Sequence, residues 1–95
     1  FKKQYLYLMY VWGHSYEFGE QGNWALMEEF CARMGGRDDI WYCTNIELMD
    51  CVDDFRRLQF AADNGFVYNP SARACWIRVN DGEPVCVAAG ETKRL

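Results

Sequence analysis

The chain has 95 residues, of which 51% are hydrophobic and 17% aromatic, and its formal net charge is −4. This length suits one small domain with a modest core, and this composition argues against disorder. No segment carries a basic stripe, so the sequence predicts neither a nucleic-acid partner nor binding to an anionic membrane surface.

The first residues superficially resemble a signal peptide, because lysines precede an apolar run. The run from Tyr5 to Trp12 is aromatic, lacks a small-residue cleavage site and leads directly to His14, so we reject that interpretation. The run is also too short to span a bilayer. Since the chain begins at Phe1 and not at methionine, we expect it to be a piece of a longer protein.

The first part of the chain, residues 1–65, alternates strand and helix patterns. Apolar runs without polar alternation predict inner parallel strands, and apolar positions spaced by three and four predict amphipathic helices. A right-handed β-α-β crossover would place the two strands parallel and close to each other. The predicted elements are a strand over 4–12, a loop over 15–23, a helix over 24–35, a strand from Ile40 to Cys43 and a helix over 45–62.

Both predicted helices have end signals and an apolar stripe. Asn23 is a suitable N-cap for the first helix, which Gly35-Gly36 would end, and Thr44 with Glu47 matches a capping box at the second. We expect the stripes to face the core. They comprise Trp24, Leu26, Met27, Phe30, Cys31 and Met34 in the first helix, and Leu48, Cys51, Phe55, Leu58 and Ala62 in the second.

The pattern changes to β over 66–95. Short strands are predicted from Phe66 to Tyr68, Cys75 to Val79 and Val85 to Ala88, and the last two flank Asp81-Gly82, a strong hairpin signal. The final residues from Gly90 are expected to form a frayed end or an edge strand. The sequence therefore predicts one α/β domain, with a small β-α-β-α unit followed by an antiparallel β-hairpin extension.

The cysteines and acidic pairs are expected to be structural. Five cysteines, an odd number without a C-x-x-C pair, indicate small buried hydrophobic residues with free thiols, which favours a reducing compartment and hence the cytoplasm. A disulfide framework or zinc site is the less favoured alternative. The pairs Asp38-Asp39 and Asp53-Asp54 are predicted to be solvated surface.

The single histidine is the main candidate for chemistry. Ligand sites in parallel α/β folds lie at the carboxyl ends of strands. His14 follows the first predicted strand, Thr44 and Asn45 follow the second, and Ser15 and Glu17 lie in the intervening loop. The alternative is a histidine that only hydrogen-bonds a loop carbonyl. Two tryptophans, Trp12 and Trp24, suit either sugar stacking or core packing, and we favour the core for Trp24.

Four stretches, YVWGHSYEF, NWALMEEFC, GRDDIWYCTNIE and VYNPSA, together resemble the C-terminal portion of polysaccharide deacetylases with the NodB-homology domain. The resemblance covers essentially the whole chain and implies the end of a distorted (β/α) barrel. It also implies that His14 is the general-acid histidine of a late barrel strand. Trp12 stands where the family pattern has leucine, so the match at that motif is partial.

The same resemblance implies what this chain lacks. The family's metal site uses an aspartate and two histidines from earlier strands, with a neighbouring aspartate as general base. We therefore expect no metal ligand and no cofactor here, and a divalent, zinc-like metal only in the parent protein. The implied partners are the remainder of the parent chain and carbohydrate.

Two alternatives stay open for the function. One is a non-catalytic carbohydrate-binding or domain-interaction module that uses the aromatic residues Trp41, Tyr42 or Trp76. The other is a degenerate deacetylase homologue whose parent has lost the metal ligands. In either case the isolated chain is expected to be inactive as an enzyme.

Overall fold

The computed structural model of the protein describes residues 6–95 and combines helices with small antiparallel sheets, which confirms the coarse α/β class. The chain divides into two compact units, one reaching Trp41 and the other spanning Tyr42–Leu95. Its elements are α1 (Ser15–Gln21), α2 (Trp24–Met34), α3 (Asn45–Arg57), β1 (Gln59–Phe60), β2 (Phe66–Tyr68), β3 (Cys75–Ile77), β4 (Val85–Val87) and β5 (Thr92–Arg94). Across residues 6–95, none of the helices has both the length and the apolar character needed to cross a bilayer.

The predicted loop over 15–23 is wrong, because most of it forms α1. Glu17, at the third helical position, accepts a hydrogen bond from the backbone N–H of His14 at 3.2 Å. Gly22 then ends the helix in the left-handed conformation, with φ of 64°. Apolar spacing does not predict this short helix, because the helix is largely polar and contains Gly19.

Both predicted strands of the first part are also wrong within the described residues. Residues 6–14 and 40–44 contain no strand, while residues 4 and 5 of the first predicted strand lie outside the described part. An apolar run becomes a strand only where a neighbouring strand shares its backbone hydrogen bonds. Every strand pair among residues 6–95 is antiparallel and lies in the second unit, so the parallel crossover does not form there.

Helix α2 matches its predicted extent, but its apolar stripe does not form a core. No residue of 6–41 is buried, and Trp24 and Leu26 are more than half exposed. The expected burial is wrong for this stripe because one short neighbouring helix, α1, cannot cover it. Gly36 follows the helix in the left-handed conformation, with φ of 67°, as the predicted glycine end requires.

Helix α3 begins as predicted but ends earlier. The capping box of Thr44 and Glu47 is confirmed. The helix stops at Arg57 and not near residue 62, because Gln59 and Phe60 pair with Tyr68 and Val67 as strand β1. Cross-strand hydrogen bonding therefore prevails over helical periodicity at the end of this segment.

The β-rich part follows the sequence prediction closely. Strand β2 lies between β1 and β5 in an antiparallel sheet, and β5 is the predicted edge strand. The predicted hairpin is confirmed, with Cys75 opposite Val87 and Ile77 opposite Val85. The left-handed residue of its loop is Asn80, with φ of 54°, and not the Asp81-Gly82 pair.

Within residues 6–95, the buried core lies entirely in the second unit. It is smaller than the predicted stripes suggested, because only Leu58 of the α3 stripe is buried. Cys75 is the one buried cysteine, so the expectation that all five are buried is wrong; all five thiols are free. The core residues are Leu58, Val67, Cys75, Ile77 and Val87, with Val85 and Leu95 packed against them.

Candidate functional site

His14 lies at the N-cap of α1 in extended backbone, directly before the first helical turn. Its side chain is 61% exposed, and Nδ1 lies 3.6 Å from Oε1 of Glu17. The imidazole also stacks on the ring of Tyr16, with a centroid separation of 5.2 Å and an interplanar angle of 21°. The sequence predicts the end of a strand at His14, but the structure has the start of a helix there. The imidazole ring is exposed.

Glu17 contacts His14 through both backbone and side chain. The carboxylate accepts from the His14 N–H, and the Glu17 N–H donates to the His14 carbonyl oxygen at 3.1 Å. One residue thus fixes the helix start and holds a carboxylate beside the imidazole. The carboxylate lies 3.6 Å from Nδ1 of the imidazole, where it can orient the ring.

A concave apolar cavity of about 340 Å³ lies next to His14 within the first unit. Gly13 and Ser15, the chain neighbours of His14, both line it. The rings of Phe18 and Trp24, whose centroids are 5.5 Å apart, form part of the wall. The full lining is Val11, Trp12, Gly13, Ser15, Phe18, Trp24 and Met27.

The structure thus brings together four of the six predicted site residues: Trp12, His14, Ser15 and Glu17. Trp24, which we favoured as a core residue, instead lines the cavity and is half exposed. Chemically, the arrangement offers an imidazole that can give or take a proton beside aromatic surfaces that suit the apolar face of a ring.

Thr44 and Asn45 lie in the second unit, at the start of α3. The Thr44 N–H donates to Oε2 of Glu47 at 2.7 Å, and the Glu47 N–H donates to Oγ1 of Thr44 at 3.3 Å. Hydrogen bonds from the backbone and then the side chain of Thr44 lower the pKa of Glu47. Thr44 therefore serves as a helix cap, and its convergence with His14 on one rim stays a prediction.

The sequence analysis missed a buried polar cluster in the second unit, centred on Asn69 and Ser71. The Asn69 amide donates to the carbonyl oxygens of Arg73 at 2.7 Å and Val87 at 3.0 Å. Its Oδ1 accepts from the Ser71 N–H at 3.0 Å. The Ser71 hydroxyl lies 2.7 Å from Asn69 Oδ1 and 2.9 Å from the Arg73 carbonyl oxygen, so it donates to one of them.

This cluster continues to α3 through an ion pair. Arg73 Nε donates to Oδ2 of Asp54 at 2.6 Å, and Arg73 Nη1 lies 3.2 Å from Oδ2 of Asp50. The hydrogen bond to Asp54 is the main cause that raises the pKa of Arg73. Asp54 is buried, so the prediction of a solvated Asp53-Asp54 pair is wrong for Asp54, while Asp38 and Asp39 are exposed.

The satisfied hydrogen bonds of the cluster indicate an architectural role. The signal available in the sequence was the string NPSAR directly after the strand Phe66–Tyr68. Asn, Pro and Ser are residues whose side chains or rings organise tight turns. Their burial against α3 depends on tertiary contacts that the string alone does not specify.

A metal centre does not fit the residues that the structure describes. Between residues 6 and 95, no three side chains of His, Cys, Asp or Glu are grouped so that they could hold a metal ion. We therefore assign no metal ligand in this part of the chain and derive no chemical step from a metal bound to it.

In three comparisons with known proteins, no family model, no curated protein and no solved structure matches this chain.

Proposed function

We propose that this chain supplies the general-acid histidine, His14, of a metal-dependent polysaccharide deacetylase that acts on amino sugars. The observation that carries the proposal is the position of an exposed imidazole between two cavity-lining residues, Gly13 and Ser15, with Glu17 beside it. The four sequence stretches that resemble NodB-homology deacetylases support the same assignment. The metal ligands and the general base would lie in the remainder of the parent chain, which is the first proposed partner.

The proposed chemistry is hydrolysis of an acetamide. Water adds to the carbonyl carbon, the C–N bond breaks, and the departing amine needs a proton. An imidazole titrates near neutrality, so it is well suited to donate that proton. In this scheme Glu17 orients the ring, and acetate and a free amine are the products.

Carbohydrate is the second proposed partner. Trp12 and Trp24, on the cavity wall beside His14, present indole surfaces to a pyranose ring, and the Ser15 hydroxyl offers a hydrogen bond. The bound sugar would then lie against the segment that carries the imidazole. Thr44 and Asn45 belong to the same proposed rim only in the assembled parent.

The finer fold assignment is also part of the proposal. In the parent, the apolar residues before His14 would be a late strand of a distorted (β/α) barrel, because neighbouring barrel strands would supply hydrogen-bond partners. The isolated chain would be inactive as a hydrolase. Free thiols at all five cysteines support a reducing, cytoplasmic location.

The decisive experiment replaces His14 in the longer natural protein that contains this chain. His14→Ala should lower kcat for release of acetate from acetylated amino-sugar oligomers by about 10²–10⁴. The same change in the 95-residue chain should cost no more than about 1 kcal/mol of stability, since the side chain is mostly exposed.

Tyr16→Phe is the matched control, because it retains the ring that stacks on the imidazole. It should leave kcat within about threefold, which is a change below 1 kcal/mol. Unchanged turnover of a folded His14→Ala parent would refute the assignment of His14. A parent sequence without an aspartate and two histidines upstream would instead favour the degenerate homologue.

A second candidate is a non-catalytic carbohydrate-binding module. It is favoured by exposed aromatic side chains outside the cavity, which include Trp41, Tyr42 and Trp76. Titration with acetylated amino-sugar oligomers, followed by amide chemical shifts, tests this candidate. Shifts around Trp76 that disappear in Trp76→Ala would support it, and shifts confined to residues 11–27 would support the deacetylase site.

A further inference from the structure

The seven residues Leu6–Trp12, which we call the apolar segment, form the most exposed hydrophobic run that the structure describes. Their exposed fractions range from 56% for Met9 to 104% for Leu6. The segment has no charge, no proline and no glycine, and it contains two tyrosines, a tryptophan and a valine. Uncharged segments of this length and composition pair readily with other chains when exposed.

The exposed area is larger than a monomer usually tolerates. At the observed exposures the seven residues present on the order of 1,000 Å², because large apolar and aromatic side chains offer up to about 250 Å² each. The largest apolar patch of a typical monomer is about 300–600 Å². The excess indicates an interaction surface.

We propose that a second copy of this chain covers the apolar segment, in a closed symmetric dimer. The charge and the exposed area of the segment both favour this occupant. An uncharged segment meets its own copy without the like-charge repulsion that copies with a net charge of −4 would experience elsewhere on their surfaces. A two-fold axis near Met9, the middle residue, brings the same patch of both copies together.

The available area also sets the strength of the association. Covering most of the segment would bury about 800 Å² per partner, the size of a standard stable interface. If the second copy lies along only one side of the apolar segment, it covers roughly half of this 800 Å². An interface of that size corresponds to a weak, reversible complex. We therefore expect a dimer that forms over about 10–100 μM and not an obligate one. This inference concerns the 95-residue chain by itself, because in the proposed parent neighbouring barrel strands would cover the same segment.

Sedimentation velocity of the 95-residue chain, from about 1 to 300 μM, tests the proposal. The wild-type chain should change from monomer to dimer over that range. The transition should occur at lower concentration in 0.5 M NaCl than in 0.05 M NaCl, because salt screens the repulsion between two acidic chains. A chain that stays monomeric at 300 μM in both buffers would overturn the proposal.

Two substitutions place a charge in the middle of the segment at exposed positions, Leu8→Lys and Met9→Lys, and at least one should raise the dissociation constant tenfold or more. Trp76→Lys is the matched control, since Trp76 is equally exposed but lies in the second unit. Far-UV circular dichroism verifies that each variant is folded. Equal weakening by Trp76→Lys, or growth beyond two copies, would overturn the closed dimer through this segment.

Discussion

Arg73 Nε lies 2.6 Å from Oδ2 of Asp54, and this contact joins the turn after β2 to helix α3. The two side chains differ in exposure, since Asp54 is almost fully buried while the arginine is more than half exposed. A buried carboxylate without a partner is strongly unfavourable. The exposed arginine is therefore what allows an acidic residue to face the core side of α3.

Removing the arginine should destabilise the second unit more than removing its exposed acidic partner. In Arg73→Ala, the Asp54 carboxylate stays buried without its cation, so the urea midpoint should fall clearly. Asp50→Asn removes the longer and more exposed contact and should have a smaller effect. Equal effects of the two variants in urea titrations followed by tryptophan fluorescence would contradict this ranking.

Replacing Asn69 should destabilise the second unit more than replacing its neighbour Ser71. Asn69→Ala removes the acceptor of the buried Ser71 N–H and the amide donor to the carbonyl oxygens of Val87 and Arg73, and we expect a loss of about 2–3 kcal/mol in the free energy of unfolding. Ser71→Ala should cost about 1 kcal/mol, because it removes a hydroxyl that donates one hydrogen bond and accepts a longer one, at 3.4 Å, from the Arg73 N–H. Chemical denaturation curves check both values; a cost below 0.5 kcal/mol for Asn69→Ala would contradict this role.

The substitution Asn69→Asp gives a sharper test of the two hydrogen bonds that the Asn69 amide donates. Asn69→Asp keeps an oxygen that can accept from Ser71 but replaces the Nδ2 donor by a second acceptor facing two carbonyl oxygens. The variant should be less stable at pH 7 than at pH 4, because burial disfavours the charged carboxylate. Stability that is independent of pH would contradict this account.

The helix cap at Thr44 predicts a pH dependence of defined sign. The pKa of Glu47 is lowered in the folded chain from its ordinary value of 4.5, so the folded state binds fewer protons than the unfolded state near that pH. The stabilisation is therefore complete well above pH 4.5 and is lost as the pH falls through 4.5 and then through the lowered pKa. Thermal unfolding between pH 7 and pH 3 measures this loss.

Glu47→Gln is the matched variant, because an amide oxygen can still accept from Thr44 but does not titrate in this range. Its stability should vary less with pH than that of the wild-type chain over the same interval. If the two proteins lose stability in parallel, the pH dependence arises from other carboxyl groups.

The five cysteines should differ in reactivity while all remain reduced. Burial is the main cause that raises the pKa of Cys75 above its ordinary value of 9.0, and side-chain hydrogen bonding with Ser71 partly opposes it. Cys75 should therefore alkylate most slowly at pH 8, after the exposed Cys31 and Cys51, because the thiolate is the reactive form.

Mass spectrometry of time-resolved iodoacetamide labelling gives this order. A denatured, non-reduced sample should show about five free thiols by Ellman titration, one for each cysteine, as expected in a reducing compartment. A count near one would indicate two disulfides and would contradict the free-thiol prediction.

The local features of this fold could be predicted from sequence where one short stretch contains all the determinants. The capping box of Thr44 and Glu47 needs only two residues three positions apart. The hairpin of β3 and β4 needs two apolar runs and a turn between them, and strand β2 follows the same logic. The extent of α2 also follows from its periodicity and its terminal glycines.

Tertiary structure decided the features that depend on a distant partner. The apolar run before His14 has strand composition but contains no strand in residues 6–14, since strand formation needs a neighbouring strand. Burial of Asp54 required Arg73, nineteen residues later, and the end of α3 required the pairing of Phe60 with Val67. The sequence by itself determined that His14 is the only imidazole and that aromatic residues surround it along the chain. Only the folded first unit placed its flanking residues on a cavity wall and brought the Glu17 carboxylate to its ring, because both relations depend on the turn geometry of α1.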